Sequence, residues 1–185
     1  MRHVITIDGP SGSGKSTVAK ILSEKLGWSY LDSGALYRIA AWIAERNNID
    51  ERILPQYLTD MNVSFIYQQG HYSAWVGGVD VSVDIRTESI GARASQLAAI
   101  PEIRSALLDM QRNFKSDTSL VTDGRDMGSV IFPNADLKIF LTAHDTVRAR
   151  RRCDELHSKG LPADYETVLE PVSYTHLTLP TKRIV

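Results

Sequence analysis

Gly9, Gly14, Lys15 and Ser16 stand at the spacing G-x-x-x-x-G-K-[ST], with Pro10, Ser11, Gly12 and Ser13 between the glycines and Thr17 after the serine. Such a run lets several backbone N–H groups turn inward around phosphate oxygens, an approach that side chains at the glycine positions would block. Lys15 is expected to reach the β- and γ-phosphates of ATP or another nucleoside triphosphate, Ser16 to give its hydroxyl to Mg²⁺, and Thr17 to support the α-phosphate. The bland alternative, a Gly/Ser-rich turn that merely starts a helix, is opposed by the flanking pattern of a buried strand before the motif and a helix after it.

A second group of residues bears on what receives a phosphoryl group. Asp32-Ser33-Gly34-Ala35-Leu36-Tyr37-Arg38 and Asp123-Gly124-Arg125-Asp126-Met127-Gly128 each follow a short apolar segment. In a parallel sheet the carboxyl ends of such strands share one rim, where ligands bind. Arg38 would aim a guanidinium at a second phosphate, Arg125 and Asp126 would sit on the same rim, and Asp123 would stand behind the Mg²⁺. Transfer between two phosphates needs positive charge around both partners and an in-line arrangement more than it needs a base. Lys15, Arg38 and Arg125 meet that need, although Arg125 and Asp126 also suit a surface ion pair in a turn. Arg148, Arg150, Arg151 and Arg152 either form a solvated helix face or deliver one or two guanidiniums to the triphosphate, with Arg151 taken as the catalytic one.

These residues need a frame. The apolar, β-branched run at 3–7 reads as a strand buried on both faces, and Val18, Ile21, Leu22 and Leu26 then recur at helical spacing up to a Gly27 cap. A second strand over Trp28–Leu31 leads into a helix with Leu36, Ile39, Ala40 and Ile43 on one stripe. Val63–Tyr67, Tyr72–Val76 and Val79–Val81 predict a small antiparallel sheet turning at Gly70. Helices follow over Thr87–Ala98 and from Pro101, the latter with Ile103, Leu107, Met110 and Phe114 on one face. Ser119–Thr122 and Leu137–Leu141 return to the buried parallel type, and Asp145 caps an Arg-rich helix running to about Gly160.

Composition narrows the classes. The chain has 185 residues, 43% of them hydrophobic, and a formal net charge of -1 from 21 basic and 22 acidic residues. That suffices for one domain with a proper core and gives no global field toward nucleic acid or an anionic membrane. Neither partner is expected, since no basic stripe carries interleaved aromatics and no stretch is apolar enough to span a bilayer. The single Cys153 points to a reducing, cytoplasmic setting, and the motif following so soon after Met1 leaves no room for a secretory leader. The five histidines, His3, His71, His144, His157 and His176, lack metal-ligand spacing.

The segments ITIDGPSGSGKST, LDSGALYR, VDIRTESIGARASQLAAIPEIRSALLDMQR and TDGRDMGSVIFPNADLKIFL, in this order and around the antiparallel insertion, resemble bacterial cytidylate kinase from Met1 to about Glu170. The resemblance implies an α/β fold, a P-loop parallel sheet flanked by helices, with a small antiparallel β plus helix insertion that binds the monophosphate. It implies transfer of the γ-phosphoryl group of ATP, with Mg²⁺, to CMP or dCMP by a monomer. It further implies that Ser33, Tyr37 and Arg38 line the monophosphate site, Ser95 and Arg104 address the cytosine edge, and Arg125 with Asp126 organise the acceptor phosphate. An exposed helix charge at Arg104 and a packing residue at Ser95 are the plain alternatives.

On this resemblance the kinase domain covers 1–170, with a core at 1–49 and 101–145, the monophosphate-binding insertion at about 50–100 and a lid at about 146–170. From Pro171 the pattern departs: the family's further arginines, last parallel strand and closing helix are missing, and 171–185 shows neither period. This tail reads as non-native, which would leave the Leu137–Leu141 edge exposed. Two other readings follow: an ATP-binding fragment without turnover, or another small-molecule kinase of the P-loop class.

Overall fold

The computed structural model describes residues 2–114, 118–158, 163–166 and 168–169. Its main sheet is parallel, with strand order β2-β6-β1-β7. The strands are β1 (Val4–Asp8), β2 (Ser29–Asp32), β6 (Leu120–Gly124) and β7 (Leu137–Phe140). The two central strands are the apolar ones, and β6 is buried along its whole length. Register then decides what meets at the carboxyl rim: Asp8 is level with Gly124, and Asp123 lies between Ile7 and Asp32. The segments that follow β1, β2 and β6 are therefore gathered at one edge by strand pairing alone.

Helix α1 (Lys15–Leu26) starts at Gly14 and ends on a left-handed Gly27, as the sequence predicts. Its core face is different from the expected stripe. Ala19 and Ser23 are buried, whereas Val18, Ile21 and Leu26 are each more than two-fifths exposed. A helix lying close over a sheet presents its small residues to the strands, which displaces the larger ones outward. Helix α2 (Ser33–Arg46) buries Leu36, Ile39, Ala40 and Ile43 as expected, and Asp32 caps it by accepting from the Ala35 N–H at 2.9 Å.

A short helix α3 (Leu54–Leu58), not foreseen, precedes the antiparallel sheet β3-β4-β5 (Val63–Gln68, His71–Val76, Val79–Asp80). Leu54 and Leu58 are fully buried there against the later helix Pro101–Asn113, so tertiary packing rather than length sustains the element. A 3₁₀ turn at Asp84–Arg86 leads to α4 (Glu88–Leu97) and α5 (Pro101–Asn113), the first capped by Thr87 and the second opened by Pro101. One hydrophobic core joins Val4, Ile7, Leu31, Ile39, Leu107 and Leu120 of the parallel-sheet layer to Phe65, Ala74 and Val81 of the insertion.

Two expectations about the last elements need correction. Strand β7 is not buried on both faces: it is the outer strand among the described residues, with Leu137 and Phe140 about half exposed, as the reading of an uncovered edge anticipates. Helix α6 (Asp145–Ser158) begins one residue before the expected first turn. Asp145 is a helical residue, and His144 gives its carbonyl to the Val147 and Arg148 amides. The tail from Pro171 and the segment joining it to α6 lie largely outside the described residues. No described helix is long and apolar enough to cross a membrane.

Candidate functional site

The loop between β1 and α1 is built on close approach. A Cβ on Gly9 would fall 2.1 Å from the Leu141 carbonyl oxygen, so only glycine lets the chain leave the strand there. Gly12 and Gly14 have φ of 76° and 93°, the left-handed region, where a side chain is strained. Pro10 offers its carbonyl at 3.4 Å to both the Ser13 N–H and Lys15 Nζ, contacts long enough for an anion to displace. Ser13 Oγ is buried without a hydrogen-bond partner beside this loop. Burial holds the Lys15 ammonium below its usual pKa, and the charge of Arg125 adds to that, against Asp123, Asp32 and Asp8. A buried ammonium with a second cation nearby, at a loop of glycines, makes a setting suited to phosphate.

Behind Lys15 stands Asp123, 2% exposed. One carboxylate oxygen accepts the Ser16 hydroxyl at 2.6 Å and the other accepts the Tyr30 hydroxyl at 2.5 Å. Burial raises the pKa of Asp123, and the charge of Asp32 raises it further, while Ser16, Tyr30 and Lys15 pull the other way. Tyr72 completes the group by donating to Asp32 at 3.2 Å, with Lys20 Nζ 3.9 Å from the centre of its ring. Among the described residues no three His, Cys, Asp or Glu gather to hold a metal ion unaided. A cation at Ser16 would therefore need ligands from a bound phosphate chain.

Asp8 fastens the turn that follows β6. Its two carboxylate oxygens accept the backbone N–H groups of Met127 and Gly128, each at 2.8 Å. The turn runs on as a π-helical loop over Met127–Ile131, with the Val130 and Ile131 amides both reaching the Asp126 carbonyl. Gly128 permits the fit, since a Cβ there would lie 2.7 Å from Thr6 Oγ1. Gly124 likewise lies against Met127 and Ser33, bringing the turn beside the first residue of α2.

The sequence-predicted acceptor residues divide. Arg104 on α5 donates to Asp126 at 2.8 Å, and Tyr37 on α2 feels the charges of both, so Tyr37, Arg104 and Asp126 do come together. Arg125 projects into solvent beside Lys15 and is not paired with Asp126, which sets aside the surface-ion-pair alternative. Arg38 lies against Gly91 and donates to the Ile85 and Thr87 carbonyls at 3.0 and 3.4 Å, tying α2 to the insertion. Ser33 is buried at the helix start, and Ser95 is exposed on α4 with its hydroxyl returned to the Gly91 carbonyl at 3.1 Å. Thr17 is exposed beside a cavity of about 410 Å³ that Lys20, Tyr67, His71, Tyr72 and Arg86 also line.

The arginines of α6 face the P-loop from its outer side. Arg151 Nη1 donates to the Gly12 and Ser13 carbonyls at 3.0 and 3.1 Å, and Arg148 reaches the Ser11 carbonyl. Arg152 instead bridges Glu155 and Glu88, linking α6 to the first turn of α4. The charge run is thus not a purely solvated face: Arg148 and Arg151 turn to P-loop carbonyls, and Arg152 turns to two carboxylates. Sequence reasoning missed Asp8, which reads only as the end of the first strand, and Tyr30, which reads only as a strand residue.

Comparison with known proteins identifies the family. The family model described as cytidylate kinase matches residues 5–175. The chain is 47% identical over 172 residues to the cytidylate kinase of Serratia proteamaculans (strain 568), covering 91% of this chain and 75% of that one. It is 50% identical over 163 residues to the cytidylate kinase of Dichelobacter nodosus (strain VCS1703A), covering 86% and 73%. It is also 50% identical over 174 residues to that of Pseudomonas fluorescens (strain Pf0-1), covering 91% and 76%. The crystal structure of TT1252 from Thermus thermophilus aligns at TM-score 0.46 and 21% identity over 96% of this chain and 85% of its own, a likeness too distant to bear on the site.

Proposed function

The chain belongs to the cytidylate kinase family, and on that premise we propose how its residues move the γ-phosphoryl group of ATP onto CMP or dCMP. It is a nucleoside monophosphate kinase, giving CDP or dCDP and ADP. The P-loop amides, Lys15 and Thr17 hold the triphosphate of ATP. Ser16, with Asp123 behind it, would hold the Mg²⁺ that neutralises charge on the β- and γ-phosphates when bound.

Acceptor binding is assigned to Ser33, Tyr37, Arg38, Ser95, Arg104, Arg125 and Asp126. Arg125 supports the transferring phosphoryl group opposite Lys15, because the two positive charges lie close enough to depress the lysine pKa and an anion between them relieves that repulsion. Arg104 and Asp126 together offer donors and acceptors that suit the polar edge of cytosine. Arg38 now holds backbone carbonyls of the insertion, and its assignment to the monophosphate rests on its place in the first turns of α2, which starts at the carboxyl end of β2. Arg151 backs the P-loop from its carbonyl side, next to Gly14. The insertion at about 50–100 forms the monophosphate-binding unit and residues from about 146 the lid. The protein acts as a monomer in the cytoplasm.

One observation supports this arrangement above the others: Asp8, the last residue of the strand feeding the P-loop, is bonded to the turn that carries Arg125 and Asp126. Donor and acceptor loops are thereby fixed to one strand end, as an in-line transfer requires. The test is ADP formation from ATP and Mg²⁺ with CMP, dCMP, UMP, AMP and shikimate as acceptors. Turnover confined to CMP and dCMP is the expected result. Turnover with another acceptor at a higher rate would overturn the assignment, and tight ADP binding with no turnover would mark a nucleotide-binding fragment.

A further inference from the structure

Among the described side chains that are fully buried, Arg148 is the one that carries a permanent charge. Burying a guanidinium is costly unless it is paired and its N–H groups find acceptors. Here Nη1 donates to Asp145 at 2.9 Å, and Nε donates to the Ser11 carbonyl at 2.9 Å across 137 residues of sequence. The backbone of α6 lies directly against the loop at this point, for a Cβ on Gly12 would sit 3.0 Å from the Arg148 carbonyl oxygen and 3.2 Å from its Cα.

The consequence follows from peptide planarity. The C=O of one residue and the N–H of the next belong to one rigid plane and point in opposite directions. Holding the Ser11 carbonyl outward therefore turns the Gly12 amide inward, and the carbonyls of Gly12 and Ser13, which accept from Arg151, do the same for the amides of Ser13 and Gly14. Arg151 is exposed and does this from the rim, whereas Arg148 does it from inside the packed helix. We propose that Arg148 is a positioning residue for nucleotide binding, its buried guanidinium gripping the Ser11 carbonyl so that the P-loop amides face the phosphates before any ligand arrives. It touches no substrate, and it sets the affinity for the donor nucleotide while leaving the acceptor alone.

The test uses the full chain and its Arg148→Met, Arg148→Lys and Asp145→Asn variants, with ADP as the probe in a titration and hydrogen exchange read at residues 11–14. Arg148→Met should bind ADP about tenfold more weakly, the effect of losing one charge-assisted hydrogen bond that orders the loop. Amides 12–14 should exchange faster, and the KM for CMP should stay within about twofold. Arg148→Lys keeps the charge but not the fork, so it should melt close to the unmodified chain without full ADP affinity. Asp145→Asn should lower the melting temperature and leave ADP affinity nearly unchanged, because the bond to Ser11 survives. ADP affinity in Arg148→Met equal to that of the unmodified chain would overturn the proposal. So would an equal loss in Asp145→Asn, which would reduce the effect to general stability. The split between KM values rests on the kinase reading, while ADP binding and exchange decide Arg148 even in a chain that phosphorylates nothing.

Discussion

Asp8→Asn is the substitution that tests the geometry most directly. The carboxylate accepts two buried backbone N–H groups at 2.8 Å each, from Met127 and Gly128. An asparagine of the same shape offers one acceptor oxygen and turns an NH₂ group toward the second amide, leaving that buried donor unsatisfied. Such a loss costs about 1–3 kcal/mol, and more when the lost acceptor was charged. Part is regained, because burial raises the pKa of Asp8, so its ionised form already stands at a cost that a neutral side chain avoids. A net loss of about 2 kcal/mol corresponds to a fall of roughly 4–8 °C in melting temperature for a chain of this size. Because the freed turn carries Arg125 and Asp126, the KM for CMP should rise severalfold while ADP affinity, set by the P-loop, changes little. Thermal melts by circular dichroism and paired KM measurements would check this. A melting temperature within 1 °C or so of the unmodified chain, with the KM for CMP unchanged, would show that Asp8 does not hold the turn.

Asp123 should titrate near neutrality in the nucleotide-free chain, its pKa pushed up to about 6 by burial and by the charge of Asp32. A raised value means the folded state keeps the proton more tightly than the unfolded chain, so this group's contribution to stability falls as pH rises from about 4 to about 6. Carboxyl carbon NMR would follow it, and Tyr30→Phe, which removes a donor to the ionised form, should move the midpoint upward. Arg104→Ala leaves Asp126 without its partner at 2.8 Å. It should raise the KM for CMP and dCMP about tenfold or more with little change for ATP, whereas an equal rise for both substrates would place Arg104 outside the acceptor site.

The donor half of the site was legible in the sequence because its parts are local. Gly9 to Ser16 must form one turn between a strand and a helix, and the dihedrals and close approaches it needs are written in the residue types themselves. The acceptor motifs were legible for the same reason: LDSGALYR and TDGRDMG each sit at a strand end, and parallel pairing brings strand ends to one rim. The two strands with the strongest apolar character also proved central.

What the sequence left open depended on contacts between residues far apart along the chain. Asp8 looks like a mere strand terminator until the turn 119 residues later places two amides over it. Nothing in the Arg-rich run separates Arg148, buried against Ser11, from Arg152, paired with Glu88, since α6 has helical periodicity whichever way it is rolled. The stripe of α1 misled for a related reason: periodicity finds the apolar face, but the small residues Ala19 and Ser23 decide how closely a helix can approach its sheet. Residue types and spacing thus determined which chemistry the chain carries. Tertiary packing alone decided which charges lie beside the P-loop and which hold the loops from behind, because a charge's role is fixed by its partners rather than by its neighbours in sequence.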